Sequence, residues 1–247
     1  MKISLALTTI IFLLNHATGD RVLAPKTRLA IVDTGISENF FTTYANLGFW
    51  DPTAVPAIKA KLQAVLPRNA KIIDLLSGTH TLLPDTYTPD SVIGIGLNSN
   101  ELHRNQVLTG RIVRDLNQHS HLDELDDESF DVVMMTSGMA YLQDPRKLFA
   151  NVLKKLKPGG LCFIAYTSAA KEEEEVISWK MRSPSERLEF TKTALLETGL
   201  FPAMTVEKEA FPLNEMFPSF TDTVYFVYGY TKEGAPTVNS KPEKTAA

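Results

Sequence analysis

Residues 129 to 166 leave this chain little choice of fold. Val132 to Met135 and Leu161 to Tyr166 are two short apolar runs. Between them Leu148, Phe149, Val152, Leu153 and Leu156 recur at the spacing of one helical face. Strand, helix, strand is the reading. Pro158-Gly159-Gly160 lies where that helix is expected to stop, because proline cannot continue a helix and glycine turns the chain back without steric cost. Strands this continuously apolar are expected to be buried on both faces, the situation of a parallel sheet covered by helices. The pattern therefore predicts a βαβ unit.

Three pieces of the same stretch resemble a known family. Phe130-Asp131-Val132-Val133, Tyr141-Leu142-Gln143-Asp144-Pro145 and Leu156-Lys157-Pro158-Gly159-Gly160 are similar to the fourth strand, following helix and fifth-strand entry of class I S-adenosylmethionine-dependent methyltransferases. A second set narrows the resemblance: Gly94-Ile95-Gly96-Leu97-Asn98, Glu101-Leu102, Arg104-Asn105 and Asp115-Leu116-Asn117. It resembles a methyltransferase-like family of plants, algae and cyanobacteria, with a type 11-like domain and mostly without assigned substrates. The resemblance spans residues 50 to 230. It implies an α/β fold with a Rossmann-like, doubly wound, seven-stranded sheet in the order 3-2-1-4-5-7-6, mostly parallel with an antiparallel terminal strand. It implies S-adenosylmethionine as cofactor and a methyl acceptor, small molecule or protein, that the sequence does not identify. A catalytically inactive scaffold that binds a ligand or partner is the alternative, because a fold can outlive its activity.

The resemblance also assigns cofactor residues. Lys71 to His80 reads as the first strand, ending in the acid Asp74, and a small-residue loop, where the family carries an acid and three spaced glycines so that backbone can approach the cofactor's methionine end. Here Asp74 and Gly78 keep their places, while Leu76 and His80 stand where glycines are usual. Ser91 to Asn98 reads as the second strand. Gly96 stands where the family has a carboxylate for both ribose hydroxyls; Asn98 or Glu101 is expected to reach instead. An aspartate at position 96 is expected on this view to strengthen binding. Close packing of strand on helix is the other reading of Gly94 and Gly96. At the end of the third strand, residues 112 to 116, the resemblance gives Asp115 the adenine amino group and the Leu116 amide the ring, with turn capping as the alternative for Asp115. Ser137, after the fourth strand, completes the expected set. No catalytic residue is assigned. His80 and Tyr141 are the nearest candidates for a base, and a structural place is the simpler reading of both.

Composition limits the partners. A formal charge of −4 lends no support to nucleic acid binding. His119-Ser120-His121 has no Cys or His cluster beside it, so no metal site is expected. The one cysteine, Cys162, sits in an apolar strand and reads as a small buried hydrophobe. It excludes an intramolecular disulfide and suits an organelle interior at least as well as the extracellular space. Residues 1 to 19 have the layout of a secretory signal peptide: Lys2, an apolar run from Ile3 to Leu14, and Ala17-Thr18-Gly19. Such a signal is expected to direct the chain to the secretory route or an organelle, with a plastid one destination, and its removal to leave no transmembrane span; an uncleaved anchor or a fortuitous apolar start is the alternative. Residues 20 to 50 are a variable aromatic-rich segment, a lid or an edge-packing helix. The resemblance implies a methyltransferase-like domain over residues 51 to 231, and 232 to 247 is a polar tail expected to be disordered. Elsewhere Val55, Ile58, Leu62, Val65 and Leu66 predict a helix, Ser183-Pro184-Ser185-Glu186 starts another that Gly199 closes, and Met204 to Val206 and Thr223 to Tyr228 suggest the last strands.

Overall fold

A computed structural model of the protein describes residues 53–168, 176–212 and 221–232. The expected signal segment, the aromatic segment before residue 51, the glutamate run at 172–175 and the tail lie outside them. The described chain runs α1 (Val55–Val65), β1 (Lys71–Leu75), β2 (Ser91–Gly96), α2 (Ser99–Arg104), β3 (Gly110–Val113), β4 (Phe130–Thr136), α3 (Pro145–Val152), β5 (Leu156–Thr167), α4 (Ile177–Lys180), α5 (Pro184–Leu196), β6 (Thr205–Pro212) and β7 (Thr221–Tyr230). The strands form one seven-stranded sheet in the order β3-β2-β1-β4-β5-β7-β6, as expected. Pairings among β1 to β5 are parallel, and β7 runs antiparallel to both of its neighbours. Among the described residues no helix is long and apolar enough to cross a membrane.

The central strands are buried on both faces, which is why their apolar runs are unbroken. Along β4, Val133 and Met135 join Ile73, Leu75, Cys162 and Ile164 on one face, under Phe149 and Val152 of α3 and Ala194 and Leu195 of α5. Val132 and Met134 point the other way, to Ile72, Val92, Phe163 and Phe226 and to Ile58 and Leu62 of α1. Each such side chain contributes about 1.5–3 kcal/mol through burial. Cys162 is part of this core, 1% exposed, and burial pushes its thiol well above the usual range. It is no nucleophile. α5 begins at the expected serine, in a capping box where Ser183 and Glu186 satisfy one another's backbone amides.

One local expectation is corrected. Pro158-Gly159-Gly160 does not stop α3; the helix has already ended at Val152 in a tight turn over Leu153–Lys155, and β5 begins at Leu156. The Pro-Gly-Gly lies inside β5 as a wide bulge. Phe130 pairs with Leu156 and Val132 with Leu161, so two steps along β4 match five along β5. A proline lacks the ladder donor and Gly159 has φ 75°, so the extra residues loop out where no ladder bond is required of them. The end of β7 fastens the bulge: Thr231 donates from Oγ1 to Lys157 O and from N to Gly160 O, and its Oγ1 accepts from Gly160 N.

Candidate functional site

Carboxyl ends of β1, β2, β3 and β4 lie side by side, and the order reverses between β1 and β4. Such a switch point is where open α/β sheets bind ligands. Each loop leaving this edge is fixed by its own side chains.

After β1, Leu76 takes a left-handed backbone, φ 54°, in the place where glycine had been expected. A conformation of that kind costs a leucine about 1–2 kcal/mol. Its side chain lies across the switch point, since a Cβ added at Gly138 after β4 would come closer than 3.0 Å to Leu76 Cδ1. The next residues replace the missing glycines with hydrogen bonds. Ser77 N donates to Ile95 O at 2.8 Å, tying the loop to β2. Ser77 Oγ and Thr81 Oγ1 both donate to Asp74 Oδ2, each at 2.8 Å. Asn105, just beyond α2, donates from Nδ2 to Gly78 O and to Thr81 Oγ1, each at 3.0 Å. Arg111 in turn holds the end of α2, donating to Leu102 O and Asn105 O. The sequence reading gave Ser77 and Thr81 no role, and Asn105 only a place in a motif. The signal was there as hydroxyls three and seven residues after a buried acid.

Asp74 is 2% exposed, and burial outweighs its two hydroxyl donors, raising the carboxyl to about 6. A carboxyl raised on folding is stabilising when protonated, fully so below its unfolded value of 3.8, and that contribution is lost as pH rises through about 6. Asp74→Asn keeps an acceptor for both hydroxyls without the charge. The variant is expected to match wild type near about pH 4 and to exceed it by about 2 kcal/mol near about pH 7. Denaturant midpoints at the two pH values measure this.

After β2, Gly94 and Gly96 serve packing. A Cβ at Gly94 would collide with Leu108, and one at Gly96 would come closer than 3.0 Å to the backbone oxygen of Ser77. A side chain at 96 would have to displace the β1 loop, so an aspartate there meets a steric cost that the sequence did not show. Asn98 is the N-cap of α2, its Oδ1 accepting from Asn100 N at 2.9 Å and Glu101 N at 3.2 Å. Its Nδ2 is buried with no hydrogen-bond partner. Glu101, in the first turn of α2, brings Oε2 to 3.5 Å from where a Cβ on Gly78 would stand.

After β3, Asp115 organises a turn. Its Oδ1 accepts from Asn117 N and its Oδ2 from Gln118 Nε2, both at 2.9 Å, and burial raises its carboxyl above the ordinary range. Asn117 bridges to the segment after β4, donating to Tyr141 O and accepting from Gln143 N. Leu116 is 2% exposed, so its side chain belongs to the core and only its backbone is available to the edge. Ser137 follows β4 with φ 61°, its N donating to Ala165 O at 2.8 Å. His80 is exposed, its Nδ1 paired with Thr79 Oγ1. Tyr141 is half-buried in the turn Met139–Tyr141. The structure thus brings Gly78, Glu101, Asp115 and Ser137 to one edge and turns Asp74, Leu116 and Gly96 inward.

A family model described as a methyltransferase domain matches residues 50–197. Among solved structures, the chain is similar to a methyltransferase complex of Haloferax volcanii with the Trm112 activator, at 16% identity and TM-score 0.52 over 74% of this chain and 91% of that one. It is similar to an S-adenosylmethionine-dependent methyltransferase of Thermotoga maritima, at 15% identity and TM-score 0.52 over 74% and 91%. Phosphoethanolamine N-methyltransferase 2 of Haemonchus contortus, solved with phosphomonomethylethanolamine and S-adenosylhomocysteine, gives 16% identity and TM-score 0.51 over 82% and 58%. At these identities the likeness is one of fold. No protein of curated function matches the chain by sequence.

Proposed function

Because the chain belongs to the methyltransferase-domain family of class I S-adenosylmethionine-dependent proteins, we propose that it binds this cofactor across the carboxyl edge and transfers its methyl group to an acceptor docked beyond β4. One arrangement carries the reading: Gly78, Glu101 and Asp115 follow the carboxyl ends of the neighbouring strands β1, β2 and β3, on one side of the switch point. Their chemistry suits the adenosyl half of the cofactor. Asp115, beyond the end of β3, carries a carboxylate that only accepts, which suits the adenine amino group. The Leu116 backbone amide follows it at the edge. Gly78 leaves the loop without a side chain where backbone must approach a ligand.

Bound, the sulfonium supplies an activated methyl group that needs no further activation by the protein. What the chain must do is hold it, exclude water and line up an acceptor. Leu76 supplies apolar wall at the switch point, and the hydrogen bonds that Asp74 accepts and Asn105 donates keep the loop rigid while it does so.

The same Leu76 favours a second reading, a scaffold that has lost the cofactor, because its side chain bridges to Gly138 across the switch point. Thermal unfolding of the protein with S-adenosylmethionine and with S-adenosylhomocysteine separates the two. At about a hundredfold excess over Kd each ligand is expected to add about 2.7 kcal/mol, raising the midpoint by about 5–10 °C. No shift with either would favour the scaffold.

A further inference from the structure

We infer that Leu76 sets which part of a ligand this edge holds: it makes the switch point apolar, so that the site takes a 5′-thioadenosine by its adenosyl and thioether groups and gives the amino-acid end of the cofactor no seat in the β1 loop. This rests on the cofactor reading above and adds to it the class of ligand that the site accepts.

The reach of the ligand brings its sulfur to this leucine. From β3, which Asp115 follows, to β1 is two strand spacings, about 10 Å. That is the span from an adenine amino group to a 5′ sulfur. An adenine read by Asp115 therefore delivers the thioether to the end of β1, and whatever lies beyond the sulfur to the gap between β1 and β4. Apolar atoms meet at Gly138, on the β4 side of that gap. The nearest neighbours of a Cβ placed there would be Met135 Cγ and Sδ, each at 2.6 Å, and Leu76 Cδ1 at 2.8 Å. A thioether or a methyl group suits such a floor, whereas a carboxylate or an ammonium would give up water and find no partner on it. The polar groups flanking the gap are engaged elsewhere. Ser77 N donates to Ile95 O and Ser137 N to Ala165 O, each at 2.8 Å, so the amide after Leu76 and the first amide after β4 are both turned back into the sheet. Ser77 Oγ donates to Asp74. Leucine holds its place against its own backbone preference, at φ 54°. Glycine would take that conformation without strain and uncover the backbone, so the side chain is what closes the loop to a charged group.

The test is calorimetric titration of the full chain with S-adenosylhomocysteine and with 5′-methylthioadenosine, which shares the adenosyl group and the thioether and lacks the amino-acid end. Wild type is expected to bind the two within about threefold of each other. A chain that seats the amino-acid end by charge-assisted hydrogen bonds loses about ten- to a hundredfold when that end is removed. Methylthioadenosine bound about tenfold or more weaker than S-adenosylhomocysteine would therefore overturn the inference. Leu76→Gly is expected to shift the preference toward S-adenosylhomocysteine by about fivefold or more, with methylthioadenosine changed by less than about twofold. Leu76→Asn, which tolerates the same backbone and brings a polar amide to the gap, is expected to shift it in the same direction. An equal change toward both ligands would overturn the role given to Leu76, since it would mark an effect on the loop alone. Wild type that binds neither ligand fails at the cofactor reading itself and takes this inference with it, a result distinct from S-adenosylhomocysteine binding by its amino-acid end. Circular dichroism melting, expected within about 4 °C of wild type for both variants, shows that folded proteins are compared.

Discussion

Gly96→Asp is expected to destabilise the domain by about 3 kcal/mol and to bind the cofactor no more tightly than wild type. The cause is backbone. An added Cβ meets the Ser77 oxygen, and a carbonyl held by Ser77 N on Ile95 O cannot swing aside as a flexible side chain would. Either the β1 loop lifts from β2, straining its bonds to Asp74 and Asn105, or β2 shifts against Arg114, whose N donates to Gly96 O. The carboxylate would also face a carbonyl oxygen with no donor to answer it, which adds a desolvation cost. For a domain of this size the expected loss in melting temperature is about 6–12 °C. Gly96→Ala carries the same Cβ without the charge and is expected to account for most of it. A Gly96→Asp protein as stable as wild type, with higher affinity for S-adenosylhomocysteine, would show that the loop yields.

Asp115→Ala is expected to lower affinity for S-adenosylhomocysteine about ten- to a hundredfold, the loss of a charge-assisted bond of about 1.5–3 kcal/mol. With no ribose acid at the end of β2, adenine recognition carries a larger share of the binding. The residue also holds its own turn through Asn117 N and Gln118 Nε2, so the alanine variant is expected to lose about 1 kcal/mol of stability as well. Asp115→Asn separates the two effects. Its amide oxygen can keep the Asn117 bond, so stability is expected to stay near wild type while affinity falls. Calorimetric titration beside chemical denaturation reads both. An Asp115→Ala protein that is folded and binds as wild type would place the ligand elsewhere.

The architecture was legible in the sequence because burial writes itself into pattern. Unbroken apolar runs at 132–135 and 161–166 follow from a strand covered on both sides, and Ser183 to Glu186 reads as a helix start because its bonds are local. What the sequence did not show depends on contacts between segments distant in the chain. Nothing near Gly96 says that the Ser77 carbonyl lies against it. Pro158-Gly159-Gly160 has the composition of a helix stop and serves as a bulge, since which of the two it becomes depends on a register with β4 that only the sheet sets. Asn98 read as a ligand contact and proves to be a helix cap, a role any asparagine before a short helix can take. The helix after it, α2, was missed altogether, because six residues with one buried side chain, Leu102, carry no periodicity.

The placement of β7 bears on how the chain is made. Residues 221–230 are the last to be synthesised of the described strands, yet they lie between β5 and β6 and pair with both. While the nascent chain is shorter than this, β6 has no neighbour to pair with, and β5 presents an unpaired apolar edge from Leu161 to Thr167. An open edge of that kind invites pairing with other chains. Arrival of β7 covers the edge of β5, gives β6 its one partner among the described strands and delivers Thr231 to the Pro-Gly-Gly bulge. Closure of the sheet thus waits on the last strand to emerge, and a chain cut short before Thr221 would have the switch-point strands in place but half a sheet edge open to aggregation.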